Sequence, residues 1–273
     1  MNRIDINSEE IKSIFASIGL SNKEGINYKQ RLKKHRQITD FLVHIEKAVK
    51  KLSQKRTLVL LDCASGKSYL SFIANYYLTN VLERKVEFIC IDYNNHVMEQ
   101  SEIAAKNLGF NNMSFICDDI FNVRLTQCPD IVYSLHACNM ATDMTIAKGI
   151  AEQAKYIMTV SCCQHFIRSN MKKHPLRSIT KFGVYKERIA DMLSDTMRSL
   201  ILEIEGYEID LFDYVPASET PKNVMIRAKK GSCHEKRSQQ AQNEYKKLKE
   251  MFNVEPKLIK YLSYAQVDKN IQR

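Results

Sequence analysis

The stretch Leu60-Leu61-Asp62-Cys63-Ala64-Ser65-Gly66-Lys67-Ser68-Tyr69-Leu70 decides the fold of this 273-residue chain. An apolar run stops at an acidic residue, small residues follow, and a helical pattern begins. Small side chains at 64, 65, 66 and 68 let backbone approach a ligand closely where the helix starts. A phosphate-cradling Gly-x-x-x-x-Gly-Lys-Ser loop would share Gly66-Lys67-Ser68, but its first glycine would fall on Leu61, inside the apolar run. The Gly-x-Gly-x-x-Gly spacing of a dinucleotide loop is absent as well.

Outward from this loop the pattern repeats. Apolar runs Thr57–Asp62, Val86–Asp92, Met113–Cys117, Ile131–His136 and Tyr156–Val160 alternate with helix-like segments near 67–83, 96–108 and 141–154. Short continuous apolar runs separated by helices predict a parallel sheet covered on both faces, a doubly wound α/β domain. After residue 163 a basic stretch precedes a helix containing Ile189, Met192, Leu193, Met197, Leu200 and Ile204, with Gly206 as its stop. Two further strands are predicted at Tyr207–Val215 and Asn223–Ala228, near enough in sequence to pair antiparallel.

Both ends read as helical. Ser8 followed by Glu9 and Glu10 predicts a capped helix start, and Gly19 a stop. Ile38, Phe41, Leu42, Ile45, Val49 and Leu52 trace one apolar stripe, approached by Lys29, Arg31, Lys33, Lys34, His35 and Arg36. The expected organisation is a basic helical extension over 1–55, a catalytic domain over 56–232 and a helical tail over 233–273.

Lysines and arginines number 41 against 31 acids, a formal charge of +10 and a pI near 9.1. That balance favours an anionic partner such as nucleic acid. The eight cysteines, at 63, 90, 117, 128, 138, 162, 163 and 233, lie mostly inside apolar runs, where thiols act as small hydrophobes in a reducing compartment. Met1-Asn2-Arg3-Ile4-Asp5 leads into no signal-peptide core, and no apolar run is long enough to span a bilayer. A cytoplasmic protein without a membrane partner is the expectation.

The loop resembles the Asp-x-Gly-x-Gly-x-Gly segment of class I S-adenosylmethionine-dependent methyltransferases, with Asp62 as the acid, Gly66 as the central glycine, and Ala64 and Ser68 replacing the outer two. Asp92 ends the second strand, where a carboxylate accepts hydrogen bonds from ribose hydroxyls. Asp118-Asp119 follows the third, and the resemblance places Asp119 near the adenine amine. Ser134 stands near the end of the fourth strand on the same rim. The cofactor implied is S-adenosyl-L-methionine.

The fourth and fifth strands end in Leu135-His136-Ala137-Cys138-Asn139-Met140-Ala141-Thr142-Asp143 and Ser161-Cys162-Cys163-Gln164-His165. These are similar to the Leu-His-Ala-Cys-x-x-Ala-Thr-Asp and Pro-Cys-Cys-Gln-His signatures of a little-characterised methyltransferase family, with Ser161 in place of the proline. They also resemble stretches of the tRNA acceptor-stem 2′-O-methyltransferases. The likeness to the first family extends to Gly183, Glu187-Arg188, Ser194-Asp195 and Thr220-Pro221-Lys222-Asn223, so it spans residues 57–229.

Three chemistries fit these residues. Transfer to a ribose hydroxyl or base nitrogen needs alignment and a proton acceptor, with His136, Asp143 and His165 as the proton handlers. Methylation of a pyrimidine carbon needs a thiolate nucleophile, Cys138 or Cys162. Zinc would suit the cysteines and histidines chemically, but adjacent cysteines at a strand end point apart, so no metal is expected. The resemblance, the charge and the basic arm together make RNA, tRNA or rRNA, the expected substrate. Lys33, Lys34, Arg36, Lys222 and Asn223 are the candidate substrate-binding residues. The competing readings are a non-catalytic RNA-binding or assembly protein on this fold, and a methyltransferase acting on protein or a small molecule.

Overall fold

The computed structural model describes residues 8–19, 28–232 and 235–271. The readings of Met1–Asp5 and Cys233 lie outside the described residues, as do the side chains of Lys29 and Arg31.

In chain order the elements are α1 (Glu9–Ser17), α2 (Tyr28–Val49), β1 (Leu58–Cys63), α3 (Tyr69–Tyr76), β2 (Val86–Asp92), α4 (Asn95–Asn107), β3 (Met113–Cys117), β4 (Ile131–Ala137), α5 (Asn139–Ala151), β5 (Tyr156–Ser161), α6 (His165–Asn170), α7 (Arg177–Thr180), α8 (Gly183–Ile204), β6 (Tyr207–Asp213), β7 (Val224–Lys230), α9 (Glu235–Phe252) and α10 (Leu258–Ile271). The strands form one seven-stranded sheet in the order β3-β2-β1-β4-β5-β7-β6. β1 pairs parallel with β2 and β4, β2 parallel with β3, and β7 antiparallel with β5. This is the Rossmann-like mixed sheet expected. Strand order reverses beside β1, which is where α/β sheets bind ligands at their carboxyl edge.

The chain folds as two compact units, the first taking in residues up to Tyr133 with Asp213–Asn223, the second Ser134–Phe212 and residues from Val224 onward. In the first unit, β1 is buried along its whole length, paired on both sides by β2 and β4, as suits a central strand of such a sheet. α1 starts as predicted, the Ser8 hydroxyl accepting the Ile11 N–H, and Gly19 ends it at φ +73°. The α2 stripe is structural. Ile38, Phe41, Leu42 and Ile45 are buried, and the Phe41 ring lies 6.0 Å from Tyr133 and 6.2 Å from Tyr214. Burying a side chain of this size contributes about 1.5–3 kcal/mol, so α2 belongs to the core of this unit. The helix stops at Val49, which leaves Leu52 half-buried beyond it.

The helix expected over 67–83 is shorter. α3 gives way at Tyr77–Val81 to a wider turn, in which the Leu82 N–H reaches the Tyr77 carbonyl. The predicted strand ends at Val215 and Asn223 also retract. The Tyr214 N–H donates to the Asn223 carbonyl, and the Asn223 amide donates to the Val215 carbonyl at 2.8 Å, closing a loop instead.

In the second unit α5 packs directly on β5. A Cβ on Gly149 would stand 2.7 Å from Ile157, so only glycine allows this approach. The Tyr207 hydroxyl donates to the Ala154 carbonyl at 3.0 Å, tying β6 to the end of that layer. The predicted tail is two helices, with α9 packed against α8 and α10 against α5.

Candidate active site

Three residues of the loop after β1 hold left-handed backbone: Ala64 (φ +55°), Gly66 (φ +52°) and Ser68 (φ +51°). These are the glycine positions of the resembling pattern. The backbone therefore keeps the shape that the pattern encodes even where alanine and serine replace glycine, at roughly 1–2 kcal/mol for each non-glycine residue. Non-glycine residues held this way cluster at functional sites. The loop is fastened by the Ser65 N–H on the Ile91 carbonyl (3.0 Å) and by the Gly66 N–H on Asp92 Oδ2 (2.8 Å).

The rim of this loop is open. A Cβ on Gly66 would meet nothing within 4 Å. The buried hydroxyls of Ser65 and Ser68 have no hydrogen-bond partner among the described residues. Open space beside glycine and orphaned buried oxygens are what a loop built around a ligand presents.

The acidic residues expected here divide into two kinds. Asp92 is buried, and its Oδ1 also accepts the Asn94 N–H at 3.0 Å; each carboxylate oxygen keeps a second lone pair for a ligand hydroxyl. The Asp118 N–H on the Asp92 carbonyl (3.2 Å) brings the acidic pair after β3 to the same edge. Asp119 is exposed, and its Oδ1 accepts the Phe121 N–H at 2.9 Å. Asp62 lies underneath. It is 3% exposed, accepts the Ser71 hydroxyl, and that hydroxyl meets the Tyr133 hydroxyl at 2.7 Å. Burial pushes the Asp62 carboxyl up to about 7, against the pull of Ser71. Asp62 thus shapes the loop from below. Tyr93, 85% exposed and directly after Asp92, escaped the sequence reading. A bulky aromatic following the strand-end acid was the available signal.

In the second unit His136 stands near the end of β4 at φ +59°, a strained conformation inside a strand. Cys138 is exposed at the N-cap of α5. Cys162 is half-buried, and both its N–H and its thiol donate to the Ala137 carbonyl at 3.3 Å. Burial, with Cys163 and Cys138 nearby, pushes its thiol up to about 11. His165 opens α6, exposed, with Nε2 3.4 Å from the Ser169 hydroxyl. Ser134 is fully buried, and its hydroxyl has no partner among the described residues.

The proton-handling role expected of Asp143 is corrected. Its carboxylate is 1% exposed and accepts Arg198 Nε at 2.7 Å. Burial raises it, and the guanidinium opposes that rise. Arg198, itself 1% exposed, was absent from the sequence reading, yet it holds both signature loops. It donates to Gln164 Oε1 (3.0 Å), to the Asn139 carbonyl (3.1 Å) and side chain (2.5 Å), and to Asp195 Oδ1 (3.3 Å). Gln164 in turn donates to the Ser161 hydroxyl at 2.7 Å and to Asp195. The cysteines are therefore flanked by residues locked from α8. No spacing rule links position 198 to 139, 143 and 164, so only the Ser194-Asp195 motif hinted at α8.

The basic arm also changes meaning. Lys33 Nζ donates to the Ser218 carbonyl at 3.3 Å, and Arg36 pairs with Glu219 at 2.5 Å, both within the first unit. Lys34 sits 4.2 Å over the Tyr69 ring, and burial followed by the Lys67 charge lowers its pKa. Burial and Arg36 bring His35 down to about 4. Asn223 is buried and spends its amide on the Val215 carbonyl, so its expected substrate contact is corrected to a loop-closing role. The Lys222 N–H donates to the Thr220 hydroxyl at 3.2 Å. Among the described residues no group of three His, Cys, Asp or Glu is arranged to hold a metal ion, and no helix is long and apolar enough to cross a membrane.

Sheet order, the left-handed loop after β1 and the acid at the end of β2 define a class I methyltransferase fold. Residues 33–170, half of the chain, match the family model described as "Methyltransferase domain", and the chain belongs to that family. Family and fold agree that these residues form a methyltransferase domain. Among curated proteins it is 24% identical over 233 residues to the glutathione S-transferase C-terminal domain-containing protein of Bos taurus. It is 27% identical over 236 residues to that of Homo sapiens. Each match covers 76% of this chain and 35% of the relative, so the chain spans about a third of their length. Magnesium protoporphyrin IX methyltransferase from Synechocystis PCC 6803, solved with bound SAH, shares the fold at a TM-score of 0.50 and 14% identity, over 84% of this chain and 98% of that one. A protein from Listeria monocytogenes described as a "putative class i s-adenosylmethionine-dependent methyltransferase" does so at 0.51 and 13%, over 83% and 70%.

Proposed function

We propose that this methyltransferase acts on RNA, delivering the methyl group to a ribose hydroxyl or a base nitrogen. The observation that carries the reading is the charge: 41 basic against 31 acidic residues suit a polyanionic substrate. Asp92 would hold the ribose hydroxyls, Gly66 and its neighbours would admit the amino-acid part, and Asp119 and Tyr93 would border the adenine. Bound there, S-adenosylmethionine supplies a methyl group already activated on sulfonium. The protein's own share is to align the acceptor and take its proton. His136 and His165 are the residues proposed for that proton; Arg198 and Asp143 position the loops beside them.

The state of Cys162 favours oxygen or nitrogen over carbon. Pyrimidine carbon methylation needs a thiolate, whereas this thiol donates to a carbonyl and is pushed up to about 11. Cys138→Ser and Cys162→Ser should each leave methyl transfer largely intact; abolition by either would overturn this choice of atom. The substrate itself is tested by labelled methyl transfer to total RNA and protein from a deletion strain, followed by nucleoside mass spectrometry. Label in a ribose-methylated or nitrogen-methylated nucleoside is expected, and label confined to protein would refute the RNA reading. Transfer should also weaken steeply with added salt.

A further inference from the structure

Residues 168–188 hold seven lysines and arginines and a single acid, Glu187. This stretch contains α7 and the first turns of α8, and most of its large apolar side chains face solvent. Leu176, Ile179, Phe182, Val184 and Tyr185 are exposed, as is Met192 further along α8. Folding normally hides such residues, and several gathered on one surface mark a binding site.

The arrangement is ordered. Phe182 and Tyr185 meet edge to face with ring centres 6.3 Å apart, and about half of each side chain remains exposed. Lys181 Nζ lies 5.0 Å over the Phe182 ring. Tyr185, Arg188 and Met192 follow one another at helical spacings of three and four and so share a face of α8. Partial burial, then the Lys186 and Arg177 charges, lower the pKa of His174, so cations from both helices converge on one place. The first turn of α8 carries no acid, and its N-cap, Phe182, makes no side-chain cap.

Composition selects the occupant. Protein interfaces are depleted in lysine at their centre, whereas here Lys181 and Lys186 flank the two rings. Exposed aromatic faces with cations alongside are what single-stranded nucleic acid uses: bases stack on the rings and phosphates follow the charges. We propose that this ridge binds a single-stranded segment of an RNA substrate. Phe182 and Tyr185 stack bases, and Lys172, Lys173, Arg177 and Lys181 hold phosphates. The proposal rests on the RNA reading above and deepens it.

Fluorescence anisotropy with a labelled oligouridylate about as long as the ~4–16 nucleotides such surfaces engage is the test. Phe182→Ala with Tyr185→Ala should weaken binding roughly tenfold per ring. Lys172→Gln with Lys173→Gln should flatten the slope of log K against log salt by about 0.7 for each phosphate that is no longer neutralised. Calorimetric affinity for S-adenosylmethionine should be unchanged in both variants, which separates a damaged surface from a damaged fold. Equal oligouridylate binding by the wild type and the aromatic variant overturns the ridge and leaves the RNA reading standing. Abolished binding in that variant, with label found only in protein, keeps the ridge and overturns RNA methylation. A wild type that ignores oligouridylate but binds phosphatidylserine vesicles assigns the surface to a membrane and overturns the proposal.

Discussion

Two buried carboxylates of this protein solve the same problem in opposite ways. Asp62, in the first unit, has only the Ser71 hydroxyl as its partner among the described residues, and burial lifts it to about 7. Asp143, in the second, faces the equally buried Arg198, which also gathers Asp195, Asn139 and Gln164. A carboxylate without a cation escapes the cost of desolvation by taking a proton; one with a cation keeps its charge if every donor is used. The first arrangement responds to pH, whereas the second is a fixed brace that loses its purpose if one member is removed.

The largest effect should come from breaking the brace. Arg198→Met leaves two buried carboxylates without their cation and should lower stability by about 3–5 kcal/mol, measured by urea unfolding. Arg198→Lys keeps a charge but loses the planar fork, and should recover part of that loss. Equal stability of all three proteins would remove the brace from the account.

Next in size is the pH dependence of Asp62. Its folded pKa lies above its unfolded value, so its contribution is fully present below about pH 4. That contribution is lost as pH rises toward 7. Asp62→Asn abolishes the titration, and should raise stability at pH 8 relative to wild type by at most about 4 kcal/mol. At pH 4 the two proteins should nearly coincide. A parallel offset at both pH values would contradict the shift.

Two smaller changes sharpen the role of the loop above Asp62. Asp92→Ala removes the carboxylate that fastens Gly66, and should weaken S-adenosylmethionine binding by about 1.5–3 kcal/mol, read by calorimetry. Unchanged affinity would strip Asp92 of its role. Ala64→Gly relieves a left-handed alanine and should stabilise the fold by about 1 kcal/mol at most. A loss of stability would show that the Ala64 methyl packs usefully.

Much of the fold is legible in the sequence, for a local reason. Strand and helix periods repeat over a few residues, so β2 and β3 match their predicted bounds and the other strands shift by only a residue or two. The loop is legible through Gly66 and only half legible at Ala64 and Ser68, where the backbone takes positive φ without the residue that announces it. The chemical segments after β4 and β5 stand out by their residue types. Their support does not, because Arg198 meets Asp143 across 55 positions of chain.

By itself the sequence determined the order of the elements, the small-residue loop after β1 and the surplus of positive charge, since each depends on residue type and short-range spacing. Only the tertiary structure decided which charges are spent internally. Lys33 and Arg36, basic arm in the sequence, bond Ser218 and Glu219 some 185 and 183 residues away, while the lysines around Phe182 remain at the surface. Hydrogen bonds and ion pairs reach about 3 Å in space, and separation along the chain does not predict which side chains come that close.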